Sequence, residues 1–337
     1  MNTAALRPRI LLTHTPDMRA NYYGDRALAE LREIGEVVLH DGAAPLAPVA
    51  VAELARGCRI VVADRNTPLP AEVFARLADT VAVSRVAVDI RNIDVEAASR
   101  AGILVTQASR TWVPAVAEMV IGHMIAIGRD ITRTDAAYKR GKAVPEVRRG
   151  RQLAGATCGI IGYGPLGRRV AELAQAFGMS VLVCDPYVKD LSGGHARVPL
   201  GQLLAEADFV VPLAVATRET ENLIDGAALA RMKPTAYLVN LSRGNLVDEA
   251  ALVSALDARR IAGAALDVGR AADQMPTPSI ARRPDVVATP HIAGLTAEAI
   301  EGQALETVAQ AREILAGRVP AGAVNAGSAA RMRLTAS

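Results

Sequence analysis

Short apolar runs bounded by polar or glycine-rich stretches recur along the whole chain. In the first hundred residues they are Ile10-Leu11-Leu12, Val37-Val38-Leu39, Ile60-Val61-Val62, Val81-Ala82-Val83 and Ile103-Leu104-Val105. Continuous apolar runs of this length predict strands buried on both faces. Amphipathic stretches, such as residues 26–34 and 70–77, separate them, and that rhythm predicts a parallel α/β sheet. Residues 115–131 then predict one long helix, and polar, basic residues 132–152 connect it to a second alternating half. Strands are expected there at residues 158–161, 181–184, 209–211, 237–240, 264–266 and 286–288. Residues 296–315 predict a closing helix with Ile300, Ala304, Thr307, Val308, Ala311 and Leu315 on one face. The last stretch, 321–337, is small, polar and basic, and is expected to fray.

One turn in this pattern carries chemistry. Cys158-Gly159-Ile160-Ile161 leads into Gly162-Tyr163-Gly164-Pro165-Leu166-Gly167, and Leu166, Val170, Leu173, Ala174 and Phe177 then recur at helical spacing. The next apolar run stops at Asp185. Glycines at this spacing also occur in ordinary turns, but strand, turn, helix, strand and acid in register make a dinucleotide-binding fingerprint. Gly162 permits the tight turn, Gly164 lets backbone N–H groups approach a pyrophosphate, and Gly167 lets helix and strand pack closely. Asp185 would accept from the ribose hydroxyls and repel a 2′-phosphate, which favours NAD over NADP. Pro186 follows, and no Arg or Lys comes before Lys189.

At 337 residues with 51% hydrophobic content, the chain is long enough for two domains with full cores. A net charge of +3 implies no strong field, so nucleic acid and membrane are not expected as partners. The densest basic run, Lys139, Arg140, Lys142, Arg148, Arg149 and Arg151, reads as a solvated connector before it reads as a polyanion site. Cys58, Cys158 and Cys184 are few and far apart, and no Cys or His spacing suggests a metal. No signal peptide is recognised and residues 115–131 are too short and too polar to span a bilayer, which predicts a cytoplasmic protein.

Two further turns follow strands. Tyr237-Leu238-Val239-Asn240 runs into Leu241-Ser242-Arg243-Gly244, placing an arginine where a strand's carboxyl end meets the ligand crevice. A guanidinium there can grip a carboxylate with two parallel hydrogen bonds, although a surface ion pair would use the same residue. Thr289-Pro290-His291-Ile292-Ala293-Gly294 aims an imidazole from a similar turn. Such a group suits proton exchange with an alcohol, although a lone turn histidine is more often structural.

With these segments in place, the chain resembles the D-isomer-specific 2-hydroxyacid dehydrogenase family over nearly its whole length. The matching segments are Asn92-Ile93-Asp94-Val95-Glu96-Ala97-Ala98, Ala115-Val116-Ala117-Glu118, Gly155 through the glycine loop, Met232-Lys233-Pro234 through Arg243-Gly244 to Val247-Asp248, Ala265-Leu266-Asp267-Val268, and Thr289-Pro290-His291. The resemblance implies two doubly wound parallel-sheet domains, a Rossmann NAD-binding domain and a flavodoxin-like substrate domain, with the active site in the cleft. It divides the chain into a first part of the substrate domain (1–106), the NAD-binding domain (107–294, with 115–131 as a dimer arm) and a returning helix and tail (295–337). It implies that Arg243 binds the carboxylate and carbonyl of a small 2-oxo acid, and that His291 exchanges the proton as hydride is transferred. Pro165, Leu166, Asp185, Thr220, Leu241, Ser242, Asp267 and Gly294 would join the glycines around NAD, and Val88, Asp89 and Arg91 would face the substrate. A homodimer is expected.

Three departures bear on the substrate. The family's glutamate partner of the histidine is missing: Ala272 stands at the ungapped position, and Asp273, Gln274 or no residue takes the role, with Asp273 as the working hypothesis. In Ala87-Val88-Asp89-Ile90-Arg91-Asn92, Asp89 replaces a glycine and Arg91 stands where an Asp is usual. Either the two compensate each other or they select a different substrate. Residues 212–217 lack the histidine and proline often found in the cofactor-lining loop. The leading expectation is an NAD-dependent oxidoreductase of small D-2-hydroxy acids, with glyoxylate and hydroxypyruvate as candidates. An NAD(H)-sensing co-regulator without turnover and a formate- or phosphite-type dehydrogenase are the alternatives.

Overall fold

The structure, a computed structural model, describes residues 7–141, 149–189, 191 and 193–333. It divides into two compact units, one formed by the chain up to Trp112 together with the chain from Thr296, the other by Val113–Leu295.

The first unit is built on β1 (Arg9–Leu12), β2 (Glu36–Leu39), β3 (Cys58–Ala63), β4 (Ala82–Arg85) and β5 (Leu104–Gln107). All pairings are parallel, in the order β2-β1-β3-β4-β5, the flavodoxin-like arrangement. Because side chains alternate along a strand, the apolar runs fill two cores at once. Ile10, Leu12, Ile60, Val62 and Leu104 pack with Leu31 of helix Asp25–Ile34 and with Ala304, Val308, Ala311 and Ile314 of helix Ala297–Leu315. Leu11, Val61, Val83 and Val105 turn the other way, onto Val51, Val73, Phe74 and Ala97. Each such fully buried aliphatic side chain contributes about 1.5–3 kcal/mol.

The second unit is built on β6 (Thr157–Ile161), β7 (Ser180–Cys184), β8 (Ala196–Arg197), β9 (Phe209–Pro212), β10 (Tyr237–Asn240), β11 (Gly263–Leu266) and β12 (Val286–Ala288). Its parallel sheet runs β12-β11-β10-β9-β6-β7-β8. Strand order reverses between β6 and β9, and in such sheets the ligand crevice lies beyond the carboxyl ends at that reversal.

Two expectations change. Residues 115–131 do not form one helix: the helix Val113–Gly128 stops, Asp130 takes a left-handed conformation (φ 55°), and a second helix runs Ile131–Lys139. Aspartate tolerates that region better than most side chains, and Arg133 Nε donates to its Oδ2 at 2.6 Å. The first of these helices is apolar nearly all round, and it buries Val116, Ala117, Val120, Ile121 and Met124 within its own unit. Lys142 and Arg148 of the basic run lie outside the described residues, while Arg151 pairs with the buried Asp208 at 2.7 Å.

The chain from Ala321 to Arg333 is also not frayed. Gln107 N donates to Gly322 O (3.0 Å) and Val324 N to Val105 O (2.8 Å). Asn325 accepts from Val105 N at 2.7 Å and donates to Ile103 O at 3.0 Å, and Met332 is buried. Its small, polar composition hides this, because main-chain groups and one amide make the attachment. Residues 334–337 lie outside the described residues. No helix among the described residues is long and apolar enough to cross a membrane, and among them no group of three His, Cys, Asp or Glu side chains could hold a metal ion.

Candidate functional site

The glycine turn after β6 shows why its residues are small. Gly162 has φ 98°, and a Cβ there would come 2.6 Å from Ala214 N. A Cβ on Gly167 would sit 2.2 Å from Gly162 O, so only glycine lets helix Pro165–Ala176 lie on the turn. Gly164 is different. Its φ is an ordinary −71°, and no protein atom lies within 4 Å of where its Cβ would be. It is the N-cap, it supplies no side-chain hydrogen bond, and Pro165 follows at N1. The helix thus begins beside open space at its positive end, an arrangement that fits a pyrophosphate.

Asp185 directly follows β7, beside this turn. Its Oδ2 accepts from Tyr163 N (2.7 Å), and its Oδ1 accepts from Tyr187 N (2.8 Å) and Val188 N (3.2 Å). The carboxylate thus stitches the glycine turn to the next loop while keeping lone pairs for further donors. Thr220 spends its hydroxyl within its own loop, donating to Val215 O at 2.6 Å and accepting from Thr217 N at 2.8 Å. Leu241 is buried, and Ser242 Oγ donates to Pro212 O at 2.7 Å, tying the ends of β10 and β9 together.

Arg243 and His291 stand on turns that share one hydrogen-bonded frame. Asn240, the last residue of β10, donates from Nδ2 to Arg243 O (2.9 Å) and accepts Asp267 N on its carbonyl (3.0 Å). Gly244 packs so tightly on the next loop that a Cβ would fall 1.9 Å from Gly269 O. Asp267 O in turn accepts His291 N at 2.9 Å. The Arg243 guanidinium is exposed, with Nη1 donating to Ser242 O at 2.8 Å.

The Asp267 side chain is completely buried, with Oδ1 accepting from Thr289 Oγ1 (2.6 Å) and Ile292 N (2.9 Å), and Oδ2 from Ala293 N (2.9 Å). It clamps the turn that carries His291. Held this way, His291 adopts φ 54°, a region costly for a side chain of its size. Gly294 comes three residues later, in the turn closed by Leu295 N donating to Ile292 O.

His291 Nδ1 lies 2.7 Å from the backbone carbonyl oxygen of Asp273, the residue expected to pair with the ring. Asp273 and Gln274 are both left-handed (φ 52° and 57°), which turns the carbonyl toward the ring. Since a carbonyl only accepts, Nδ1 carries a proton and Nε2 is the nitrogen left for exchange.

Sequence reading missed Arg270. Its guanidinium donates to Glu221 Oε1 (2.6 Å), Asn222 Oδ1 (2.5 Å), Asn245 O (3.1 Å) and Val247 O (3.0 Å), joining the loops after β9, β10 and β11. Only the arginine's position one residue past Gly269 could have hinted at this.

In the first unit, Asp89 and Arg91 form a bidentate pair within one loop. Arg91 Nε lies 2.9 and 3.0 Å from the two Asp89 oxygens, and Nη2 lies 2.6 Å from Oδ2. Arg91 holds the Asp89 carboxyl down at about 2, against the opposing effect of partial burial. This is the compensating arrangement of the two readings left open. Val88 precedes the pair in the same loop.

Comparison with known proteins places these features. Residues 121–293 match the model for the NAD binding domain of D-isomer specific 2-hydroxyacid dehydrogenases. A D-3-phosphoglycerate dehydrogenase of Synechocystis is 37% identical over 246 residues, 72% of this chain and 44% of that protein. A glyoxylate reductase of Korarchaeum cryptofilum is 33% identical over 302 residues, 87% of this chain and 88% of that one. The NAD-complexed D-isomer specific 2-hydroxyacid dehydrogenase of Lactobacillus delbrueckii superposes with a TM-score of 0.81 at 25% identity, covering 94% of this chain and all of that one. The chain spans about half the length of the D-3-phosphoglycerate dehydrogenases it matches, between 44% and 57%.

Proposed function

The chain belongs to the D-isomer specific 2-hydroxyacid dehydrogenase family, and on that footing we propose that it interconverts a small D-2-hydroxy acid and its 2-oxo acid with NAD. The observation that carries this reading is the common frame of Asn240, Asp267 and Gly269, which fixes the arginine turn and the histidine turn relative to each other.

Arg243 is assigned to the substrate carboxylate and carbonyl, since a guanidinium offers two parallel donors and a fixed positive charge. His291 is assigned to the proton. With Nδ1–H donated to the Asp273 carbonyl, Nε2 gives its proton to the carbonyl oxygen in reduction and recovers it from the hydroxyl in oxidation. The Gly162–Gly167 turn, with the amides of Leu166 and Gly167, would hold the dinucleotide phosphates, and Asp185 its ribose. Bound there, the cofactor supplies or accepts the hydride at the substrate's C2. Asp185 favours NAD, because its charge opposes a 2′-phosphate. In the first unit, the Val88–Arg91 loop is read as a contributor to acid binding, its Asp89 charge already neutralised by Arg91.

Glyoxylate and hydroxypyruvate lead the candidate substrates, as names of the full-length relatives suggest. A homodimer is proposed, with the exposed edge of helix Val113–Gly128, at Pro114, Glu118 and Gly122, available to a second copy.

The test is to follow NADH and NADPH absorbance with a panel of 2-oxo acids. Consumption of NADH that disappears in Arg243→Ala supports the reading. Tight NADH binding without turnover across the panel would replace it with a cofactor-sensing role.

A further inference from the structure

The Asp267 clamp has a brace of its own on the helix Val113–Gly128. His123 is buried there, 6% exposed, with Nε2 3.3 Å from Thr289 Oγ1 and Nδ1 3.1 Å from Met119 O. We propose that His123 is a positioning residue for the proton-transfer turn, acting through Thr289 and Asp267 on His291; this rests on the reading of His291 as the proton carrier.

The Thr289 hydroxyl has one hydrogen, and at 2.6 Å from Asp267 Oδ1 it goes to the carboxylate. What Thr289 then presents to His123 is a lone pair, and Met119 O at Nδ1 also only accepts, so a neutral ring donates to one of the two and closes the contact to Thr289 in its Nε2–H form. The result is a one-way chain from imidazole to hydroxyl to carboxylate, in which each bond polarises the next. At its far end the same carboxylate accepts the amides of Ile292 and Ala293, the two residues after His291.

Such a chain matters here because the turn is strained. A left-handed histidine persists only where its surroundings overdetermine it. Asp267 supplies three restraints to the segment His291–Ala293, through its carbonyl and both carboxylate oxygens. Thr289 holds that carboxylate from the side, and His123 is the group behind Thr289. Replacing His123 with an apolar residue of similar size leaves the packing of the helix but removes the donor behind the hydroxyl, which weakens the hold of Thr289 on Asp267. A buried donor beside a carboxylate then chooses its own geometry, and the strained turn relaxes. A shift of a fraction of an ångström at Nε2 is enough to slow proton transfer, since misplacement by about 1 Å costs on the order of a hundredfold.

The experiment uses the full chain with three substitutions: His123→Leu, His123→Gln and Thr289→Val. In His123→Leu, kcat in the NADH-coupled reduction is expected to fall about tenfold, with the affinity for NADH unchanged and the pH profile of kcat displaced. His123→Gln, whose amide still donates to Thr289, restores most of the loss. Because the effect passes through the hydroxyl, the double variant His123→Leu/Thr289→Val is no slower than Thr289→Val alone. The second readout needs no turnover: the His291 ring is titrated by NMR, and its midpoint moves by roughly half a unit or more in His123→Leu. If kcat, its pH profile and that midpoint all stay put in His123→Leu while His291→Ala abolishes turnover, the positioning role is overturned and the dehydrogenase reading stands. If no 2-oxo acid is turned over by the unsubstituted protein, the dehydrogenase reading fails instead. The titration of His291 then decides whether the brace acts on it. Should His123→Leu not fold, the comparison of His123→Gln with Thr289→Val decides the question, equal displacement of the His291 midpoint in both ruling the brace out.

Discussion

His291 Nδ1 and the main-chain oxygen of Asp273 face each other at 2.7 Å, so a peptide group meets the ring at that nitrogen. Removing the Asp273 side chain should accordingly leave the partner in place. Asp273→Asn and Asp273→Gly are expected to keep kcat within about twofold and to leave its pH profile unmoved. The glycine variant should melt at least as high, since φ 52° suits it better. A tenfold loss in either, measured by steady-state kinetics across pH, would return the role to the carboxylate.

Arg243→Lys tests whether a positive charge alone suffices. A lysine keeps the charge but loses the two-pronged geometry, and hydrogen bonds to charged groups contribute about 1.5–3 kcal/mol each. The expected loss in kcat/KM for a 2-oxo acid is therefore on the order of tenfold to a hundredfold, with NADH affinity retained. Equal rates for both side chains would remove the bidentate assignment.

Gly244→Ala should damage the fold of the second unit before it damages chemistry. A Cβ 1.9 Å from Gly269 O requires the backbone of two loops to separate. Overpacking of this kind costs about 1–3 kcal/mol, and more when backbone must move. A lower urea midpoint is expected, together with weaker activity in the protein that remains folded. An unchanged midpoint would mean that the two loops yield easily and do not lock the arginine turn.

The first unit contains a buried titratable group of its own. His14 is 1% exposed and its Nδ1 meets no partner among the described residues. Burial pulls its pKa down to about 4, with Asp64 opposing and with Arg85 and Arg19 adding to the effect. The unfolded chain, near 6.5, then binds more protons than the folded one between those two values. Stability is full above pH 6.5 and falls as pH drops toward 4, by an upper bound of about 3 kcal/mol. His14→Phe should flatten the dependence of the melting temperature on pH across that window. An undiminished slope would assign the acid sensitivity to other groups.

Much of this molecule was readable before any coordinates. The strand runs, the glycine turn and the positions of Arg243 and His291 all follow from local patterns, because a buried parallel strand and a phosphate-binding turn each need particular residues in particular places. What escaped reading depends on main-chain atoms or on distant partners. Asp267 reads as a residue near the cofactor, and only the folded turn shows its oxygens filled by Thr289, Ile292 and Ala293. The Asp273 carbonyl has no signature at all, since every residue has one. The break at Asp130 and the docking of Asn325 were missed for the same reason: one residue's φ, and one amide's bonds, decided them.

The discontinuity of the first unit also has a temporal side. Its core includes Ala304, Val308, Ala311 and Ile314, which leave the ribosome after all of residues 113–295. Synthesis therefore finishes the inserted unit while the earlier-made sheet still shows Ile10, Leu12, Ile60 and Val62 to water. The sheet's apolar face on that side is complete only once the closing helix has been made.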